Sequence, residues 1–220
     1  MEIKALLFDL DGLIFDSEKE YYRCWKQAGE DCGFTIPHET LLALRSCDSL
    51  VARQRLEEAL GQTGVYDGIR ARRKEIMRPY LTEHEPELKD GVISFLQKMR
   101  SYPNVRKAVV TQSRREDKES LLEKAGLLQY FDEVVSADDV KRGKPFPDMY
   151  ECACRKLGIV PEECIAFEDS PNGIQSAYAA GVHPVMIPDL SGPDEELEQM
   201  CFGVYPSLED SFSAIAPHLA

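Results

Sequence analysis

Between Ile3 and Phe8 the chain carries a short, almost unbroken apolar run that ends on acids, Phe8-Asp9-Leu10-Asp11-Gly12. Ala5, Leu6, Leu7 and Phe8 read as a strand buried on both faces, the pattern of a parallel sheet. From Ser17 to Glu83 the period becomes helical. Tyr21, Trp25, Ala28 and Cys32 form a stripe at spacings of 4, 3 and 4, and further helices follow Pro37 and Leu50. Beyond Lys89-Asp90-Gly91 helices and strands alternate: helix 92–99, strand 107–110, helix 116–124, strand 133–135, helix 148–157, strand 164–167, helix 172–180, strand 184–187, and a last helix near 208–216. Alternation predicts an α/β fold, a doubly wound parallel sheet. Only helices separate the first strand from the others. Residues 17–83 are therefore expected to form an inserted helical cap domain, and 1–16 with 84–220 the α/β core. An insert so placed can act as a lid.

Composition narrows the class. At 220 residues the chain can bury a full core without staples, and its 43% hydrophobic and 30% charged residues are those of a globular protein. A formal charge of -13 argues against nucleic acid as a partner. Seven cysteines, an odd number with no CxxC pair, fit free thiols in a reducing compartment. Cys152 and Cys154, two apart on a helix, point to different faces and make no metal or redox pair with each other. The four histidines are scattered and define no zinc site. The start lacks a cationic segment and its apolar run stops at Asp9, too short for a signal peptide or a membrane span, so a cytoplasmic location is expected. One local reversal stands out: from Arg45 to Arg78 there are eight basic residues against five acidic. Most read as solvated helix faces, with Arg45 and Lys74 as candidates to hold an anionic substrate.

The chemistry starts from Asp9 and Asp11. Side chains two apart on an extended backbone point the same way, so both carboxylates reach one small volume at the solvent-accessible end of a strand. Open parallel sheets bind ligands there. Two anions so close need a cation or a shared proton, and Gly12 permits a sharp turn after them. Three more segments fall at or just beyond predicted strand ends: Thr111-Gln112-Ser113, Gly143-Lys144-Pro145 and Glu168-Asp169-Ser170-Pro171-Asn172-Gly173. Singly they read as a helix cap, a solvated loop cation and a capped turn. Together with Asp9 and Asp11 they bring one hydroxyl, one ammonium and four carboxylates to one sheet edge, which points to a site.

As an ordered set these motifs resemble the haloacid dehalogenase superfamily, in its phosphatase and beta-phosphoglucomutase-like branch with a helical cap. The first motif of that family, DxDGxxxDS/T, is met by Asp9, Asp11, Gly12, Asp16 and Ser17; the second by Thr111, the third by Lys144, and the acidic pair by Glu168 and Asp169. The resemblance implies that Asp9 is the nucleophile, forming an aspartyl-phosphate, and Asp11 the general acid and base. It implies that Thr111, Gln112 and Lys144 bind phosphate, and that Mg²⁺ is held by Asp9, the backbone carbonyl of Asp11, Asp169 and Glu168. The substrate would be a small phosphorylated metabolite, a sugar phosphate or nucleoside monophosphate. Dehalogenases of the family generally lack an acid where Asp11 stands.

Two alternatives remain beside the phosphatase: a sugar phosphomutase, and a phosphate-ester binding or regulatory protein without turnover. Intact Asp9, Asp11, Lys144 and Asp169 argue against the binder. Against the mutase stands the first cap helix. Mutases of this group carry a cap His four residues after the Ser/Thr of the first motif, and here that position is Tyr21, with Trp25 matching an aromatic common to both groups. Their cap Arg has no clear counterpart in Ser46-Cys47-Asp48-Ser49, although Arg45 is adjacent. Tyr21, Trp25, Arg45 and Lys74 are thus the cap candidates for substrate contact.

Overall fold

In a computed structural model, which describes residues 1–84 and 87–220, six parallel strands form one sheet in the order β3-β2-β1-β4-β5-β6. The strands are β1 (Ala5–Phe8), β2 (Arg106–Thr111), β3 (Glu133–Ser136), β4 (Cys164–Glu168), β5 (His183–Met186) and β6 (Gly203–Val204). β1 lies in the middle, with Phe8 opposite Val109 on one side and Phe167 on the other. The alternation of its side chains explains the unbroken apolar run. Leu6 and Phe8 enter one buried cluster, and Ala5 and Leu7 enter another on the opposite face.

Four helices fill the interval between β1 and β2 that the sequence reserves for them: α1 (Glu18–Asp31), α2 (His38–Ala43), α3 (Ser49–Leu60) and α4 (Tyr66–Glu83). They enclose a small core of their own, including Ala28, Leu41, Leu56, Tyr66 and Ile69. The expected stripe on α1 is only partly its packing face. Cys24 and Ala28 are fully buried, whereas Cys32 is exposed at the helix end and Tyr21 and Trp25 face a cavity. The expected return to the core at residue 84 runs into residues 85 and 86, which lie outside the described residues.

The flanking helices are α5 (Val92–Lys98), α6 (Arg115–Lys124), α7 (Asp148–Leu157), α8 (Pro171–Ala179), α9 (Glu195–Met200) and α10 (Leu208–Ile215). All but α9 fall within a few residues of the sequence expectation. α9 and the two-residue β6 were not expected, for α9 buries only Leu197 and offers no periodic stripe. No helix among the described residues is long and apolar enough to cross a membrane.

The parallel register decides where chemistry can occur. Because Phe8, Val109 and Phe167 are level, the residues that follow them, Asp9, Thr111, Glu168 and Asp169, share the carboxyl edge of the sheet. The loop before α7 adds Lys144 to that edge, where its ammonium meets both Asp9 and Glu168.

Candidate active site

Asp9 leaves β1 with its side chain against Lys144, whose ammonium donates to Asp9 Oδ1 at 2.6 Å and to the Val110 carbonyl at 3.0 Å. The same ammonium lies 2.6 Å from Glu168 Oε1, and Tyr150 donates its hydroxyl to that oxygen. Lys144 is fully buried. Burial disfavours its charge, but the Asp9 and Glu168 carboxylates more than offset this and raise its pKa above the ordinary value. Burial raises Asp9, with Lys144 opposing, and pushes Glu168 up to about 7.

Three carboxylates converge here. Oxygens of Asp9, Glu168 and Asp169 lie within 4.8 Å of one another. Asp169 is buried and close to Glu18, Asp9 and Glu168, and burial followed by those charges lifts its pKa well above the carboxylate range. Arg45 Nη1 donates to Asp169 Oδ2 at 3.4 Å. Among the described residues, Glu168 Oε2 and Asp169 Oδ1 are buried with no hydrogen-bond partner. Orphaned buried carboxylate oxygens are costly, and an all-oxygen cluster of them fits a hard divalent cation. Gly12 is part of the cradle. It has φ +85°, and a Cβ there would sit 2.5 Å from Asp169 Oδ2 and 2.8 Å from Glu18 Cγ.

The Asp11 carboxylate is held apart from that cluster. Ser17 Oγ and Lys118 Nζ donate to its Oδ1 at 2.8 and 2.6 Å, and Ser113 Oγ to its Oδ2 at 3.4 Å. Lys118 is itself buried; Asp11 more than offsets that burial and raises the ammonium's pKa. Thr111 is buried with its Oγ1 accepting from the Ser113 N–H at 3.3 Å. Gln112 Oε1 accepts from the Lys144 N–H at 3.0 Å.

The structure corrects the expected exposure of the strand end. Asp9 and Asp11 are only 2% and 9% accessible, because the helical segment lies over them. Ser46 Oγ donates to Asp9 Oδ2 at 3.4 Å, the Asp48 N–H to the Lys144 carbonyl at 2.7 Å, and Asn172 Nδ2 to the Arg45 carbonyl at 2.7 Å. Between helices and sheet edge remains a cavity of about 340 Å³, reached by Asp9, Asp11, Gln112 and Ser113 from below and by Tyr21, Trp25, Arg45, Arg70 and Arg73 from the helices.

The cap candidates divide. Tyr21 and Trp25 line the cavity. Arg45 also lines it, yet its guanidinium is engaged with Asp169, Ser191 and the Leu42 carbonyl. Lys74 is exposed and outside the lining, and its place is taken by Arg70 and Arg73 from the same helix. Reasoning from sequence also missed Lys118, Tyr150, Ser46 and Glu18. Glu18 is buried beside Asp11, and burial first, then that charge, pushes it up to about 8. Its position directly after Ser17 was the one available signal. Lys118 sits in the polar run Arg114-Arg115-Glu116-Asp117-Lys118 and carries none.

The model of the haloacid dehalogenase-like hydrolases matches residues 3–181. The fructose-1-phosphate phosphatase YqaB of Escherichia coli (strain K12) is 34% identical over 184 residues, covering 82% of this chain and 94% of that protein. The beta-phosphoglucomutase of Bacillus subtilis (strain 168) is 27% identical over 196 residues, covering 83% and 82%. A hydrolase from Pseudomonas syringae, of known crystal structure, shares the fold with a TM-score of 0.85 at 18% identity, over 99% of this chain and 100% of that one. The chain belongs to the haloacid dehalogenase-like hydrolase family, in its branch of phosphatases and beta-phosphoglucomutase-like enzymes.

Proposed function

We propose that this hydrolase is a Mg²⁺-dependent phosphatase that releases phosphate from a small phosphomonoester, a sugar phosphate or nucleoside monophosphate. The observation that carries the reading is Asp9, which lines the cavity, held at 2.6 Å by a fully buried Lys144 behind it and beside orphaned oxygens of Glu168 and Asp169. Residues 17–83 act as the cap that selects the organic part and excludes water.

Asp9 attacks phosphorus, and the bond from phosphorus to the leaving oxygen breaks as the new bond to Asp9 forms. Two unit charges about 4 Å apart interact by about 4 kcal/mol at an effective dielectric near 20, so a carboxylate approaching a phosphate dianion needs cations nearby. Lys144 is one. Mg²⁺, held by Asp9, the Asp11 carbonyl, Asp169 and Glu168, supplies further positive charge when bound. Thr111 retains its hydroxyl proton for a phosphoryl oxygen, and Gln112, on the cavity lining, positions the Lys144 loop. Asp11 gives a proton to the leaving alcohol. It then removes one from the water that attacks the aspartyl-phosphate, which returns Asp9 and frees phosphate.

The tether on Asp11 favours a second reading. A sugar phosphomutase must restrain its general acid while one sugar phosphate replaces another, and Lys118 with Ser17 provides such a restraint. Against it, Tyr21 offers no imidazole. Protein with Mg²⁺ is to be assayed against a panel of sugar phosphates and nucleotides, and against beta-glucose 1-phosphate with a trace of the 1,6-bisphosphate. Phosphate release that disappears in Asp9→Asn supports the phosphatase. Efficient formation of glucose 6-phosphate would replace it with the mutase, and near-normal turnover by Asp9→Asn would overturn the mechanism.

A further inference from the structure

Among the described residues Arg73 has aromatic neighbours but no ionic partner. Its guanidinium lies 5.2 Å from the Trp25 ring centroid and 5.4 Å from that of Tyr21, on the cavity wall formed by α4. Its Nε is buried, with no hydrogen-bond partner among the described residues. Arg70, one position of the same wall, lies 6.0 Å from the Tyr66 ring. Neither arginine makes an ion pair among the described residues, whereas nearby arginines do. Arg53 holds Asp67 at 2.7 Å, and Arg72 holds Asp31 at 2.7 Å and Glu75 at 3.0 Å.

In a chain with 39 acidic and 26 basic residues, carboxylates are plentiful, and two cations that face one cavity with no ion-pair partner among the described residues mark a place kept for an outside anion. Burying a guanidinium is costly unless its donors are met, and aromatic faces satisfy its charge but not its N–H groups. The cations also repel one another. Burial lowers the pKa of Arg73, and Arg70 lowers it further; Lys74 is lowered by Arg70 first, then by burial, Arg73 and Arg114. On the phosphatase reading the phosphoryl group is met by Asp9, which lines the cavity away from α4, and leaves this wall unaccounted for.

We propose that Arg73, assisted by Arg70, is the receptor for a second anionic group of the ligand, so that the preferred substrate is a phosphomonoester bearing a carboxylate or a second phosphate. This rests on the phosphatase reading for the floor of the cavity. A volume of about 340 Å³ lets one small molecule touch both ends, and a planar fork of donors suits either anion.

The test is calorimetric binding to the Mg²⁺-loaded protein of three non-hydrolysable probes: propylphosphonate, 3-phosphonopropionate and propane-1,3-diphosphonate. Wild type should bind one or both of the doubly anionic probes about 10- to 100-fold more tightly than propylphosphonate, the range of a charge-assisted contact. Their order tells carboxylate from phosphate. Arg73→Met should remove most of that preference, Arg70→Met part of it, and Arg73→Lys should retain some. Equal affinity of wild type for all three overturns the inference even if a variant fails to fold. So does a preference that survives in Arg73→Met and Arg70→Met combined. Hydrolysis of 4-nitrophenyl phosphate by wild type is read separately, and its absence counts against the phosphatase reading alone.

Discussion

Replacing Lys144 by Met keeps an unbranched side chain one atom shorter and removes the charge from a point with no solvent access. In the folded protein the ammonium lies 2.6 Å from Asp9 and 2.6 Å from Glu168. The variant leaves these two and Asp169 within 4.8 Å of one another, with Arg45 as the one remaining cation in contact with the cluster among the described residues. Breaking a buried pair from one side costs about 3–5 kcal/mol, and in a domain of this size each kcal/mol moves Tm by about 2–4 °C. A fall of about 6–20 °C is expected in EDTA. The exposed pair Lys98–Glu209, 41% and 45% accessible, is the control; Lys98→Met should change Tm by no more than about 4 °C, since such pairs contribute about 0–1 kcal/mol.

Two further readouts follow from the same geometry. Mg²⁺ at about 100 times its Kd should return about 2.7 kcal/mol, because it neutralises the acids that lost their ammonium. Burial already holds Glu168 at about 7 with Lys144 present, and without it the folded-state pKa rises further above the unfolded value. The folded variant then binds protons that the unfolded chain has released. Its stability falls as pH rises, so the deficit should be larger at about pH 8 than at about pH 5. Thermal unfolding in EDTA within about 2 °C of wild type would refute the reasoning.

Two other outcomes are expected. If Asp11 is the general acid proposed above and Lys118 fixes the position of its carboxylate, Lys118→Met should slow hydrolysis of alkyl phosphates by about 10-fold or more but affect 4-nitrophenyl phosphate, whose leaving group needs no proton, much less; equal losses on both would show that Lys118 acts otherwise. For Asp139, burial raises the pKa, but the Ser136 N–H, Lys156 and Arg115 outweigh it and hold it at about 2. A depressed carboxylate stabilises above its unfolded pKa and loses that contribution as pH falls through the folded one. Asp139→Asn should therefore lower Tm near neutrality and match wild type by about pH 2, and a deficit independent of pH would contradict this.

Local pattern alone determined the parallel α/β core, the helical segment after β1, and the placing of Asp9, Asp11, Thr111, Lys144, Glu168 and Asp169 at one sheet edge, though not the separation of the Asp11 carboxylate from the other acids. The reason is physical. Strands buried on both faces must be apolar throughout, so the first polar residue after each marks the sheet edge, and parallel order puts those edges together. What tertiary structure decided concerns groups that no local rule connects. The tie of Lys118 to Asp11 spans 107 positions in the chain, and that of Arg45 to Asp169 spans 124. The near burial of both catalytic candidates depends on helices folding back over the strand ends. Arg70 and Arg73, rather than Lys74, face the cavity because of the rotation of α4 about its axis, which is set by packing Tyr66, Ile69 and Met77 inward. Its weakly amphipathic sequence did not reveal that rotation, since Arg70, Arg72, Arg73 and Lys74 crowd three sides of the helix with the same charge.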